Sequence, residues 1–353
     1  MADLGGRRRR AFIGSFTAAG GPGIVVADVD PTSGALTLLS SVNAIPDPSC
    51  LALSPTGETL YAVSETADGA VAAYRVTGDV PEPTGPPVPV GGSGPTHLSV
   101  FDGHVLTANY GSGSVTAVPV RADGTLARVA SGMLRHTGSG PHTRRQQGPH
   151  AHHVQPDPSG RWAVSVDLGT DSVRICTLRD GVPVLHREHA LRPGSGPRRL
   201  TFHPAGRHAY VVNELTPTIT VCRWDAADGS LKPLAEAAVL PGAPAGDAYP
   251  SGLVVSPDGR FVWAATRGED VLSVFAVEAE GEVLRLVGTV PCHGRWPRAL
   301  ALAAAGDFLY VANERSGDVT WFTLDPASGL PRRAGSVAVP AASCVILDRP
   351  VLD

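Results

Sequence analysis

The segment GPHAHHVQPDPSG, residues 148–160, puts His150, His152 and His153 within four positions of one another. Imidazoles this close can hold a metal ion or move a proton near neutral pH. Spacing alone does not choose between the two. On an extended segment side chains alternate, so His150 and His152 share a face and His153 points the opposite way. A metal would therefore need ligands from elsewhere in the chain. The chemistry depends on the elements around the segment.

Those elements repeat. Units begin at Pro48 (PSCLALSPTGETLYAVSE), Pro95 (PTHLSVFDGHVLTANY), Pro149 (PHAHHVQPDPSGRWAVSVDL), Pro197 (PRRLTFHPAGRHAYVVNE), Pro250 (PSGLVVSPDGRFVWAATR) and Pro297 (PRALALAAAGDFLYVANE), at intervals of roughly 44 to 54 residues. Each reads as a strand, a turn such as SPDG or HPAG, a second strand and a third such as TITVCRW or VLSVFAV. A DxxxG turn before a fourth strand often follows. Four short strands per unit with almost no helical periodicity describe a propeller blade. Six units are complete. ASCVILD at the C-terminus parallels PSCLALS as a first strand, and RRAFIGSFT, GIVVADVD and ALTLLSS supply the other three. The expected fold is all-β: a seven-bladed β-propeller over residues 10–347, its ring closed by one C-terminal strand pairing with three N-terminal strands. Closure removes free sheet edges. Residues 1–9 are expected to be a flexible Arg-rich segment.

In a blade the start of the first strand and the end of the second meet at one face of the disc. Aligning the units on Gly57, Gly160, Gly206, Gly259 and Gly306 gives two columns around that mouth. The first holds Ser49, His152, Arg198, Ser251 and Arg298, with Thr96 a looser match. The second holds Glu65, Leu168, Glu214, Arg267 and Glu314, with Tyr110 beside them. An inner column contains Ser64, Asn109, Asp167, Asn213, Thr266 and Asn313. A repeat kept only for structure needs its glycines, prolines and apolar positions alone. Here each blade adds a different polar group, which points to a polar binding site at the channel entrance rather than to exposed strand ends that merely tolerate charge. The alignment places His152 in the channel column beside Arg198. His153 faces a neighbouring blade, and His150 stands at the loop end, where it could assist. Asn109, Asp167 and Asn213 could offer oxygens to a divalent ion, but the nearby arginines oppose a cation. Arginine forks suit a carboxylate or phosphate better. No metal and no cofactor are expected.

Composition narrows the classes further. A net charge of −4 and a pI near 6.3 give no reason to expect nucleic acid or an anionic membrane as partner. No stretch approaches the ~20 apolar residues of a membrane span. Lys232 is the only lysine, so arginine must carry any anion binding. The five cysteines form no CxxC pair, which fits a reducing cytoplasm. Arg7, Arg8, Arg9 and Arg10 followed by AFIGSFTAAGG are similar to a twin-arginine export signal. Gly and Thr interrupt its apolar part, and the continuation GIVVADVD reads as a strand.

The segments GPHAHHV, GPRRLTFHPAGRHAYVVNEL, SPDGRFVWAATRG and LYVANERSGDVTWFTLDPASGL resemble the lactonase family of seven-bladed propellers, as does FIGSFTAAGGPGIVVADVDPTSGAL. That family includes propeller-type 6-phosphogluconolactonases and fungal carboxy-muconate lactonizing enzymes. The resemblance implies a site histidine at His152, the arginine of GPR at Arg198, the glutamate of NEL at Glu214 and the arginine of an NRG-like motif at Arg267, here within TRG. His152, Glu214, Arg198 and Arg267 are therefore the expected catalytic group. His150, Arg298, Asp167, Asn213, Glu65 and Glu314 are the expected substrate-binding residues.

The implied function is hydrolysis of an anionic sugar lactone, 6-phosphogluconolactone to 6-phosphogluconate in the first instance. His152 or Glu214 would be the base, with activity rising through pH 6 to 7 if it is an unperturbed histidine. Two rivals stand beside this reading. One is a lactonizing lyase or isomerase using the same groups in the reverse sense; the other is a non-catalytic propeller that presents its face to a protein. Apart from a small-molecule lactone, the expectation is a monomer or weak homodimer in the cytoplasm.

Overall fold

The computed structural model describes residues 9–348. The expected Arg-rich segment, residues 1–9, lies outside the described residues except for Arg9, and of the Arg7–Arg10 run only Arg9 and Arg10 are described. Arg10 belongs to the fold: its Nε donates to Asp348 at 2.9 Å and its Nη1 to Gly78 O at 2.7 Å.

Seven antiparallel sheets form the ring. In the closing blade Ala342–Leu347 pairs with Arg10–Ser15, followed by Ile24–Val29 and Leu36–Val42. The two strands pair as the sequence predicts, with a register that runs from Ala11 opposite Leu347 to Ser15 opposite Ala342. The other blades begin with strands Leu51–Leu53, Pro95–Phe101, Ala151–Pro156, Pro197–Phe202, Tyr249–Val255 and Pro297–Leu302; we number them one to six. One blade departs from the pattern. The outer edge of blade one is two short pieces, Glu82–Pro83 and Val88–Pro89, both pairing with Ala70–Arg75. The run PEPTGPPVPV explains the break, because proline cannot donate to a ladder.

The middle strands lie between neighbouring blades and are covered on both faces. Phe308–Asn313, for instance, is buried throughout. Core clusters accordingly run from blade to blade: one joins the closing blade to blades six and one. Buried aromatic side chains lock the ring through polar tips. Tyr61 Oη donates to Gly124 O, Trp162 Nε1 to Ala226 O, Tyr210 Oη to Gly281 O, Trp263 Nε1 to Gly329 O and Tyr310 Oη to Gly34 O, at 2.8 to 3.0 Å. In each case a second strand reaches an outer turn of the next blade. Burial of the ring and satisfaction of its one polar group are achieved together. No helix among the described residues is long and apolar enough to cross a membrane.

Candidate active site

The channel residues sit on β-bulges. In six blades the ladder between first and second strand skips one residue near its start: His152 between Ala151 and His153, Arg198 between Pro197 and Arg199, Arg298 between Pro297 and Ala299. Thr96 and Ser343 are skipped in the same way, and Ser251 with Gly252 in blade five. A bulge breaks the alternation of side chains and re-aims them. Consecutive residues therefore face the channel together. One chamber is lined by Ser49 and Cys50, Thr96 and His97, His152 and His153, Arg198 and Arg199, and Ser343 and Cys344.

This corrects one expectation. Strict alternation puts His153 opposite His152, whereas both line the chamber. His153 does meet a neighbouring blade, its ring centroid 4.0 Å from that of His97. In blade five the second of the paired positions is Gly252, where a Cβ would meet Leu300 N at 2.9 Å.

Glu214 is the hub of the mouth. It follows the buried strand His208–Asn213, and its amide donates to Gly196 O at 2.7 Å. Its Oε2 lies 2.7 Å from Arg267 Nη2 and 3.0 Å from Arg198 Nε, and its Oε1 accepts from Arg145 Nη2 at 2.6 Å. Arg198 Nη1 donates to Ser251 O at 2.7 Å and Arg267 Nε to Tyr249 O at 3.2 Å. Arg198 Nε and Arg267 Nη2 are both buried, and Glu214 Oε2 is the anion beside each. Two guanidiniums thus share one carboxylate oxygen.

A second ionic group sits across the mouth. Arg298 Nη1 donates to Glu314 Oε2 at 3.1 Å, and its Nη2 lies 3.5 Å from Glu65 Oε1. Ser49 Oγ donates to Glu65 Oε2. Aromatic rings border these charges. Arg298 lies over Phe16 at 4.8 Å, and Arg267 packs near Tyr249 and Trp296 at 5.9 and 5.5 Å. His150 stacks on Tyr110 at 4.4 Å and its Nδ1 pairs with Tyr110 O at 2.9 Å. The same tyrosine meets His152 edge-on at 5.4 Å. His150 thus supports the wall that His152 stands against.

Asp167 and Asn213 stand outside this assembly. Both are fully buried and committed to holding strands together. Asp167 Oδ1 accepts from the amides of His150, Gly169 and Thr170, while Oδ2 pairs with His136 at 2.6 Å. Asn213 Nδ2 donates to Thr218 and Thr220 Oγ1, both at 2.9 Å. Asn109 and Asn313 make equivalent bonds, so the inner column ties second strand to third. Being one residue before the mouth column, it points the other way. Leu168 is fully buried. No group of three or more His, Cys, Asp or Glu among the described residues could hold a metal ion.

Arg145 was not read from the sequence. It belongs to the connection between Gly132–Arg135 and Ala151–Pro156, anchored by the buried Gln146, whose Nε2 donates to Leu168 O and Asp171 Oδ1 at 2.8 Å. A signal was present: the interval from Pro95 to Pro149 is among the longest in the repeat, so this connection carries extra residues.

Electrostatics divide the labour between His152 and Glu214. Burial, followed by the Arg198 charge, pushes the His152 imidazole well below its usual range, so it is neutral at pH 7. Burial alone would raise the Glu214 carboxyl, but Arg267, Arg198 and Arg145 together hold it well below the carboxylate range. A carboxylate so held is a weak base.

Fold and site define a seven-bladed propeller with an arginine–carboxylate cluster beside a neutral histidine at one channel mouth. The chain matches the family described as Lactonase, 7-bladed beta-propeller over residues 10–347 and belongs to that family. It is 34% identical over 340 residues to a 6-phosphogluconolactonase of Bacillus subtilis, covering 95% of this chain and 97% of the relative. A 6-phosphogluconolactonase of Formosa agariphila is 31% identical over 335 residues, covering 90% and 93%. Among solved structures, the periplasmic gluconolactonase PpgL of Pseudomonas aeruginosa superposes with a TM-score of 0.90 at 29% identity, covering 97% of this chain and 99% of that one.

Proposed function

We propose that the protein is a lactone hydrolase acting on an anionic sugar lactone at the channel mouth, with 6-phosphogluconolactone as the leading substrate. The observation that carries this reading is the pair of buried arginines, Arg198 and Arg267, held on one carboxylate oxygen of Glu214 beside the neutral His152. Relatives named 6-phosphogluconolactonase support the reaction class.

His152 accepts a proton from water as its oxygen attacks the lactone carbonyl. The tetrahedral oxyanion is stabilised by the positive charge of Arg198 and Arg267, already in place when the charge develops. The ring C–O bond then breaks, and the imidazolium returns its proton to the leaving alkoxide. The product carries a new hydroxyl and a new carboxylic acid, which releases its proton to solvent as the carboxylate; water is the only co-reactant. Glu214 holds the two guanidiniums in register as a positioning residue, not as the base. Arg298 and the aromatic rim hold the remainder of the sugar. The five cysteines, all free and buried, support a reducing compartment.

The test compares hydrolysis of 6-phosphogluconolactone, gluconolactone and a muconolactone by pure protein, with and without EDTA, after subtracting spontaneous opening. Preference for the phosphorylated lactone by at least tenfold in kcat/KM is the expected result. Equal rates on gluconolactone would shift the substrate towards that of the periplasmic relative's name. Turnover of the muconolactone alone would favour the lactonizing reading, and no turnover of any would favour a protein-binding propeller.

A further inference from the structure

Behind the mouth residues, the second residue of each adjacent pair forms an inner tier with a different chemistry. Cys50, His97, His153, Arg199 and Cys344 belong to it, and they share with His152, Arg198 and the other mouth residues above them a chamber with a cavity volume of about 30 Å³. That is room for one or two water-sized occupants. A sugar phosphate does not fit there.

Arg199 takes part in no ion pair among the described residues, and the charges that bear on it come from the thiols Cys50 and Cys344, not from a carboxylate. The mouth carboxylates are already engaged: Glu214 by Arg145, Arg198 and Arg267, and Glu65 and Glu314 by Arg298. Counted together, the channel holds Arg145, Arg198, Arg199, Arg267 and Arg298 against Glu65, Glu214 and Glu314, leaving cations in excess. The half-buried Arg199 guanidinium is thus a cation without a counter-charge, which favours an anion beside it. A second observation points into the same space: His153 is 2% exposed, lines the chamber, and its Nδ1 has no hydrogen-bond partner. A neutral imidazole can present N–H at that atom.

We propose that the inner tier binds a small inorganic anion of halide size, held by the Arg199 guanidinium and by His153 Nδ1–H. The site lies beneath the catalytic mouth and does not depend on the lactonase reading. The anion offsets the positive excess of the channel, so it stabilises the fold whether or not a lactone is turned over. Its internal rival is Cys50: the hydrogen bond with Cys344 draws that thiol down, and a thiolate could serve as the counter-charge instead.

Bromide is the probe. Crystals of the intact protein soaked in sodium bromide should give an anomalous peak between Arg199 and His153. In halide-free buffer at constant ionic strength, added bromide should raise Tm saturably, by roughly 3–5 °C at saturation. Arg199→Gln should abolish the saturable rise, and Arg199→Lys should retain part of it. If Arg199→Gln does not fold, the bromide peak in the unaltered protein decides alone. A peak only among Arg198, Arg267 and Arg298, or no peak, overturns the proposal. So does a saturable rise that appears only in Cys50→Ser, because the thiolate would then be the native counter-charge. Lactone turnover is read separately, so loss of one result does not decide the other.

Discussion

Arg145 Nη2 donates to Glu214 Oε1 at 2.6 Å, joining a residue outside the blade repeat to the hub of the mouth. Its side chain is about one-third exposed (34%), while that of Glu214 is 4% exposed. Arg145 therefore closes the site from the solvent side. Because water screens a partly exposed pair, Arg145→Ala should raise KM for an anionic lactone only several-fold and leave kcat nearly unchanged. Steady-state kinetics check this. A collapse of kcat with KM unchanged would place Arg145 in the chemistry instead.

Removing the hub has a different signature. Glu214→Gln leaves Arg198 and Arg267, both almost fully buried, without their carboxylate. Breaking a buried pair by removing one partner costs about 3–5 kcal/mol. The urea midpoint should fall accordingly, and phosphate should restore part of the loss by occupying the freed donors. An unchanged midpoint would mean that the two arginines hold position without Glu214.

His152→Ala should lower kcat by about 10²–10⁴, the range for loss of a general base, with little change in KM. Because burial and Arg198 lower the imidazole pKa, the free base is already complete by neutrality. The acid limb of the rate profile should therefore lie below pH 6.5, not across pH 6 to 7 as an unperturbed histidine implies. A midpoint at or above 6.5, after correction for spontaneous opening, would point to another base.

Stability should depend on pH through three histidines. His97, His152 and His153 are each pushed well below the usual value, burial being the first cause in every case. Each binds its proton more weakly in the folded chain than in the unfolded one, whose pKa is about 6.5. Their contribution is complete above that value and is lost as pH falls, while the unfolded chain takes up protons that the folded chain refuses. Glu65, raised by burial, acts in the opposite sense but is one group against three. Tm should fall measurably between pH 7.5 and 5.5, and less steeply in His97→Ala or His153→Ala. A flat curve over that interval would contradict the assignment of buried neutral imidazoles.

Deleting residues 342–353 removes the strand that pairs with Arg10–Ser15. The newly bare edge carries AFIGS, an apolar strand of the kind that pairs between molecules. Loss of monodispersity on gel filtration and a broad, non-cooperative melt are the expected outcomes. A monodisperse, cooperatively melting truncation would show that closure is dispensable.

Blade number, strand order and the strands that close the ring were legible because the turn glycines and the proline near the start of each complete unit recur in sequence. All five alignment glycines have positive φ, between 69° and 75°, a backbone state that glycine adopts without strain. His152, Arg198, Glu214, Arg267, Arg298, Glu65 and Glu314 came from the same alignment and do meet at the mouth. Asp167 and Asn213 were misplaced, because the column method registers position along a strand and ignores which face the side chain takes. Arg145 escaped because the alignment considers only residues inside the repeat. The inner tier escaped because a bulge leaves no mark in residue spacing: His152–His153 and Arg198–Arg199 read as alternating neighbours.

The bulge has one more consequence, for how such a channel can change. An unbroken strand shows the channel one side chain at this level, and altering it rewrites the reactive surface directly. Here each such strand shows two, at adjacent positions but different depths. The residue facing the substrate and the residue setting the field beneath it can vary separately, by single substitutions that leave the hydrogen-bond ladder intact. Tuning of reactivity is thereby uncoupled from recognition.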